Sequence, residues 1–188
     1  MNKTERITLL MGGLAGLFYA LSRVTLTLPG AALSREDVFD RATRIVDRYY
    51  EGDVTPWMLT AVAEIESGFN PYAVRYEPGL GDASIGMCQT LYSTARWLST
   101  IGYTDYGADL AAKTLFDPDA SLYFGGAYLS YLRRHEGRRR DDAFVVKSYN
   151  GGPGAQNGAV ETYLAKYRVA LTAVEQMKGQ GDPGVRVA

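Results

Sequence analysis

The sequence has few of the residues from which metal sites and disulfides are built. Its 188 residues include one cysteine, Cys88, and one histidine, His135. A single cysteine excludes an intramolecular disulfide, and a single histidine leaves no plausible zinc site and no obvious Cys–His pair. The formal net charge is only −1, whereas domains that bind nucleic acid carry a strong basic excess. We therefore expect no zinc site and no nucleic-acid partner.

The N-terminal segment lacks an uncharged run of the length that a membrane-spanning helix needs, about 20 residues. Its longest run covers residues 7–22, follows Lys3 and Arg6, and precedes the small residues 30–32. A basic start, an apolar segment and small residues at its end are typical of a secretory signal. We expect residues 1–33 to be a signal peptide, or a signal-anchor that holds the protein at the inner membrane. The alternative is a buried N-terminal helix of the fold.

The rest of the sequence is typical of one globular domain. Hydrophobic residues make up 46% of the chain and charged residues 22%, and this length can bury one sizeable core. Helical spacing of apolar residues predicts a mainly α domain over residues 34–177. Between residues 70 and 85, prolines and glycines break the helical period, which predicts a loop or small β-hairpin. We expect residues 178–188 to form a flexible tail.

One predicted helix carries the acidic residue on which our interpretation depends, Glu66. Thr55 is suited to cap a helix over residues 56–67, and Gly68 is suited to end it in a left-handed conformation. Glu66 then lies in the last turn, at the negative end of the helix dipole. Burial against neighbouring aromatic residues disfavours its ionised form further, so we expect a raised pKa. A carboxyl group that stays protonated suits a general acid; the alternative is a solvated residue at a helix end.

Three short motifs occur in a definite order along the chain. They are ESGFNP at residues 66–71, GMCQ at residues 86–89 and SYNGG at residues 148–152. Together they resemble the E-S-x-x-N-P, G-L-M-Q and A-Y-N-A-G elements of lytic transglycosylases and the related goose-type lysozymes. The resemblance covers about residues 54–167. It departs from the family pattern at the packing positions Met87, Cys88 and Gly151, which affects the shape of the pocket more than its chemistry.

The resemblance implies a mainly α, α+β lysozyme-like fold and an exported enzyme that acts on peptidoglycan, either periplasmic or anchored facing the periplasm. The family's site residues carry over to Glu66 as acid and then base, to Ser67 and Tyr149 as positioning residues, and to Met87, Gln89 and Asn150 as residues lining the sugar subsites. The implied reaction forms a 1,6-anhydro sugar without water and needs no metal or organic cofactor.

Two other functions stay open at this point. Hydrolytic glycosidases generally use two carboxylates, and Glu77 or Asp82 in the predicted hairpin is a candidate for the second one. Such a pair predicts a hydrolytic lysozyme on the same fold. The other alternative is a non-catalytic wall-binding or structural protein of a virion or secretion apparatus.

A cluster of arginines surrounds the single histidine, His135. Its members are Arg133, Arg134, Arg138, Arg139 and Arg140. Such a cluster could contact anionic wall polymers or membrane headgroups. We favour a solvated loop instead, with His135 as an exposed bystander.

Overall fold

A computed structural model describes residues 32–107 and 109–179. This part of the chain contains six α-helices: α1 (Arg35–Ile45), α2 (Pro56–Ser67), α3 (Tyr92–Thr100), α4 (Pro118–Arg133), α5 (Asp142–Gly151) and α6 (Gly158–Lys178). A π-helical turn, Val46–Tyr50, continues α1, and short 3-10 turns cover Ala112–Phe116 and His135–Gly137. Three short antiparallel strands, β1 (Val74–Glu77), β2 (Asp82–Ile85) and β3 (Thr90–Leu91), form one sheet in the order β1-β2-β3. The structure confirms the predicted mainly α fold with a small β-hairpin.

Local sequence sets where the helices begin and end. The Thr55 hydroxyl accepts a hydrogen bond of 3.1 Å from the Met58 N–H, and Pro56 occupies the first turn, where no N–H is needed. Gly68 ends α2 with a positive φ of 61°, a conformation that glycine adopts without steric cost. These two signals fix the length of α2, and Glu66 therefore lies in its last turn.

Helix α4 runs through the centre of the core. Most of its residues are buried, and Phe124 and Leu129 are fully inaccessible. Two adjacent glycines allow neighbours to approach it closely. A Cβ on Gly125 would lie 2.7 Å from Cys88 Sγ, and a Cβ on Gly126 would lie 2.6 Å from the Tyr50 ring. Gly125 thus lets α4 pack directly against the segment that follows β2, and Gly126 lets it pack against the π-helical turn that continues α1.

The hairpin of β1 and β2 leads into a tight turn over residues 86–89. The two strands pair from Val74 opposite Ile85 to Glu77 opposite Asp82. Gly86 has a φ of 79°, and a Cβ there would lie only 2.1 Å from the Leu115 carbonyl oxygen, so only glycine fits. Helix α3 begins at Tyr92, directly after the strand in which Thr90 pairs with β2.

Two of the sequence predictions concern residues that are wholly or mostly outside the described part of the chain. The signal peptide or signal-anchor expected over residues 1–33 precedes the described residues except at its last two positions. The expected tail lies outside them from residue 180 onward, and Lys178 is the last residue of α6, where its Nζ contacts Asp40 Oδ1 at 3.1 Å. Within residues 32–107 and 109–179, no helix is both long enough and apolar enough to cross a membrane.

Three of the clustered arginines are solvated as predicted, since the side chains of Arg134, Arg138 and Arg139 are 64%, 71% and 68% exposed. The prediction of a solvated loop is wrong for Arg133. That residue is only 5% exposed, and its Nε donates to the Asp53 carbonyl oxygen at 2.9 Å. The Asp53 carboxylate, itself 7% exposed, accepts from Ser130 Oγ at 2.8 Å and forms an ion pair with Arg134. The prediction for His135 is also wrong, because its ring packs on Phe144 and its Nδ1 is buried. Packing against Asp53 buries Arg133, and packing against the Phe144 ring covers part of His135.

Candidate active site

Glu66 lines an open cleft with a volume of about 360 Å³. The side chain emerges from the last turn of α2 and is half-buried. The remaining walls come from the hairpin, the turn before α3, and helices α3, α4 and α5. Their lining residues are Arg75, Glu77, Leu80, Ser84, Gln89, Thr90, Leu91, Thr94, Tyr128, Tyr149, Asn150, Gly151 and Gly152. The cleft therefore brings Glu66 together with the 86–89 and 148–152 motifs.

Tyr163 holds the Glu66 carboxyl group. Its hydroxyl donates to Glu66 Oε1 at 2.6 Å from helix α6, and its side chain is only 8% exposed. Burial raises the pKa of Glu66, while the Tyr163 hydroxyl and the Arg75 charge oppose that rise and Glu77 adds to it. The pKa of Tyr163 is also raised by burial, so its hydroxyl keeps its proton and stays a donor. A carboxyl group that keeps its proton at a pH above its ordinary pKa is suited to donate that proton to a substrate.

The sequence did not identify Tyr163 as a site residue. In the sequence it is one of the many residues at helical spacing within the predicted α domain over residues 34–177. The usable signal was its hydroxyl, because a buried tyrosine usually finds a hydrogen-bond partner. Which partner that is depends on how α6 packs beside α2, and residues 66 and 163 are 97 positions apart.

Ser67 and Tyr149 hold the 86–89 turn rather than the Glu66 carboxyl group. Ser67 Oγ donates to the Met87 carbonyl oxygen at 2.8 Å, and the Tyr149 hydroxyl donates to the Cys88 carbonyl oxygen at 2.7 Å. Within the described residues neither hydroxyl donates to Glu66. The expected direct support of the carboxyl group is therefore replaced by an indirect one, in which both residues fix the turn that faces it.

The three expected subsite residues differ in their placement. Met87 is completely buried and does not line the cleft, so its predicted contact with sugar is wrong; its thioether packs in the apolar core instead. Gln89 lines the cleft, but its Nε2 donates to the carbonyl oxygens of Ala73 and Gly86 at 3.0 and 2.9 Å. Asn150 is exposed on the cleft wall.

The two candidates for a second carboxylate also differ. Glu77 lines the same cleft as Glu66 and forms an ion pair of 2.6 Å with Arg75. The Asp82 carboxylate accepts hydrogen bonds from the Ser93 and Ala83 N–H groups at 3.0 and 2.7 Å. Asp82 therefore stabilises the start of α3, and Glu77 is the one of the two that faces the cleft.

Comparison with known proteins identifies the family of this fold. The family described as "Transglycosylase SLT domain" matches residues 47–168. The soluble lytic murein transglycosylase of Escherichia coli is 30% identical over 128 residues, which cover 68% of this chain and 18% of that protein. The membrane-bound lytic murein transglycosylase C of Edwardsiella ictaluri is 30% identical over 121 residues, covering 62% of this chain and 31% of its own. The chain thus spans less than a third of the length of these curated relatives.

Two solved structures share the fold at low sequence identity. An inactive mutant of lytic transglycosylase Slt from Pseudomonas aeruginosa aligns with a TM-score of 0.60 and 17% identity over 80% of this chain and 25% of that one. The 70-kDa soluble lytic transglycosylase in complex with bulgecin A aligns with a TM-score of 0.52 and 21% identity over 82% and 27% of the two chains. At this identity the likeness shows the lysozyme-like fold alone. The family match, by contrast, covers well over half of the sequence, and the chain belongs to the transglycosylase SLT domain family.

Proposed function

We propose that this protein is a peptidoglycan lytic transglycosylase that cleaves the β-1,4 bond between N-acetylmuramic acid and N-acetylglucosamine. The observation that carries the proposal is Glu66, a half-buried carboxyl group with a raised pKa at the wall of an open cleft. Membership of the SLT family and the names of the curated relatives support the same activity.

In the first step Glu66 acts as a general acid. Tyr163 occupies Oε1, so Oε2 is the oxygen that carries the proton towards the glycosidic oxygen. As the bond breaks, Glu66 becomes a carboxylate, and its hydrogen bond from Tyr163 becomes charge-assisted and stronger. The site therefore stabilises the charge that develops on the carboxylate during the reaction.

In the second step the substrate supplies its own nucleophile. The oxocarbenium-like centre is assisted by the N-acetyl oxygen of the sugar, an exception to the two-carboxylate rule. The ionised Glu66 then takes the proton from the muramoyl C6 hydroxyl, which attacks C1 and closes the 1,6-anhydro ring. The nucleophile is already tethered to the reacting centre, which favours this attack over attack by free water.

The other site residues act by positioning. Ser67 and Tyr149 fix the carbonyl groups of the turn over residues 86–89, and Gln89 ties that turn to the carbonyl before β1. Asn150 has an exposed amide on the cleft wall, which is suited to hydrogen-bond sugar hydroxyl or acetamido groups.

Hydrolysis is the second candidate, because Glu77 faces the same cleft as Glu66. Its ion pair with Arg75 ties it to the hairpin and favours the one-carboxylate mechanism. Mass spectrometry of digested peptidoglycan separates the two: we expect 1,6-anhydromuramoyl products from the wild type and from Glu77→Gln alike. Reducing muramic ends without any anhydro sugar would replace the transglycosylase by a lysozyme, and no released fragments at all would favour a non-catalytic role.

We also propose that the enzyme acts on the wall from outside the cytoplasm, delivered by residues 1–33. Two kinds of curated relative, one named membrane-bound and one named soluble, support both forms of delivery. N-terminal sequencing of the exported protein distinguishes a cleaved signal from a retained anchor, and retention of the whole protein in the cytoplasm would contradict the proposal.

A further inference from the structure

We propose that the glycan strand continues out of the cleft along a row of aromatic side chains, the aromatic track, made of Tyr128, Tyr131 and Trp97. This inference rests on the proposed function, because it assigns a binding surface to the part of the strand that lies beyond the cleaved bond. The ligand is a polymeric N-acetylated aminosugar chain.

The track begins inside the cleft and leads away from it through direct ring contacts. Tyr128 lines the cleft, and its ring lies 5.3 Å from that of Tyr149. It is nearly parallel to the Tyr131 ring, with centroids 6.3 Å apart and an angle of 7°. Tyr131 in turn meets Trp97 edge to face at 4.7 Å and 88°. A continuous line of rings therefore connects the cleft to Trp97.

Two helices carry this line outward together. Thr94 on α3 and Tyr128 on α4 both line the cleft, and Trp97 and Tyr131 lie three residues further along the same two helices. Residues three apart lie on one face of a helix, about 4.5 Å along its axis. The track is thus the outward extension of two cleft walls.

The outer end of the track carries apolar side chains that the fold leaves open to solvent. Trp97 is 39% exposed, and Ile101, just after α3, is 42% exposed. The edge-to-face contact with Tyr131 covers only part of the indole, and Tyr103 packs on Tyr131 at 5.6 Å, which keeps the platform rigid. Exposed apolar patches next to a cleft are typical of ligand-binding grooves.

The shape and chemistry of the track fit a sugar chain. Aromatic side chains offer a large rigid contact area at a low cost in conformational entropy, with a polar hydroxyl at the end of each tyrosine. The C–H faces of pyranose rings suit the flat surfaces, and the tyrosine hydroxyls suit the hydroxyl and acetamido groups. Continuity with the cleft selects the glycan strand as the occupant.

Trp97 can report on its own occupancy. The sequence has two tryptophans, and the other one, Trp57, packs against Phe39 at 5.2 Å. In the double variant Trp57→Phe with Glu66→Gln, Trp97 is the only tryptophan and cleavage is suppressed. Peptide-free peptidoglycan glycan strands should then change its emission in a saturable way, whereas a disaccharide should not. This readout needs no turnover, so it stands even if the lytic activity does not.

Unchanged Trp97 emission at strand concentrations that saturate binding, measured independently by calorimetry, would overturn the inference. A kinetic experiment tests it separately: Trp97→Ala should raise KM for polymeric peptidoglycan about tenfold, the effect of losing one aromatic anchor, with kcat changed less than about twofold. Trp97→Phe should restore most of the affinity. Tyr106→Ala is the matched control, since Tyr106 is equally exposed at 39% but lies on a separate groove. An equal KM in wild type and Trp97→Ala would contradict the proposal.

Discussion

Replacing Tyr163 with phenylalanine removes one hydroxyl from the site and leaves the ring in place. That hydroxyl is the donor to Glu66 Oε1, at 2.6 Å. Hydrogen bonds to charged groups contribute about 1.5–3 kcal/mol, and about 1.4 kcal/mol corresponds to a tenfold change in rate. Because the bond is strongest when Glu66 is ionised after proton transfer, we expect kcat of Tyr163→Phe to fall about ten- to a hundredfold.

The same substitution has a defined effect on the pH profile. A general acid works in its protonated form, so kcat/KM falls as pH rises through the pKa of Glu66. The Tyr163 hydroxyl lowers that pKa, and its removal must raise it further. We therefore expect the alkaline limb of kcat/KM to move to higher pH in Tyr163→Phe, while maximal activity is lower.

The assay is the release of soluble muropeptides from purified peptidoglycan across a pH series. Tyr50→Phe is a matched control, because its buried hydroxyl likewise donates a hydrogen bond, to the Tyr123 carbonyl oxygen at 2.9 Å, and Tyr50 does not line the cleft. It should lose about 1 kcal/mol of stability and keep the wild-type profile. An unchanged kcat in Tyr163→Phe, or an alkaline limb displaced to lower pH, would refute the assigned role.

Three further substitutions test the fold around the site. Gln89→Ala removes two hydrogen bonds to buried carbonyl groups, one of them that of Ala73, and should cost about 1–3 kcal/mol of unfolding free energy by urea denaturation together with a lower kcat/KM. Asp53→Ala leaves the buried Ser130 hydroxyl without its acceptor and should cost about 1–3 kcal/mol of unfolding free energy, with cleavage retained well below its lowered Tm. Burial raises the pKa of Glu66 above 4.5, so the folded wild type binds this proton more tightly than the unfolded chain does. The wild type therefore loses stability as the pH rises from 4.5 to the raised pKa of the folded state. Glu66→Gln cannot ionise and lacks this loss, so the difference between its Tm and that of the wild type should grow with pH. A difference in Tm that stays constant with pH would contradict the claim that burial raises the pKa of Glu66.

Local signals were sufficient to predict the position of the acid from the sequence. Thr55 and Gly68 define both ends of α2, and their effects act within a few residues. The hairpin was predicted for the same reason, since prolines and glycines interrupt helical spacing there. These elements required no knowledge of long-range packing.

The partners of the acid could not be predicted, because they depend on contacts between distant segments. Ser67 and Tyr149 were expected at the Glu66 carboxyl group, yet the approach of α4 to Cys88 through Gly125 brings the 86–89 turn to where both hydroxyls find its carbonyl oxygens. A hydroxyl donates to whichever acceptor packing brings closest. Short motifs therefore located the site, whereas the hydrogen bonds within it required the structure.

The most direct test of the central claim is muropeptide release by Glu66→Gln on purified peptidoglycan. The amide keeps the shape of the side chain but cannot give up a proton, so the account predicts a loss of about a hundredfold or more. Glu64→Gln, two residues earlier in α2, is the control: its carboxylate pairs with Arg35 and lies outside the cleft lining, so activity should be retained. Wild-type release by Glu66→Gln would contradict the claim that this carboxyl group is the acid.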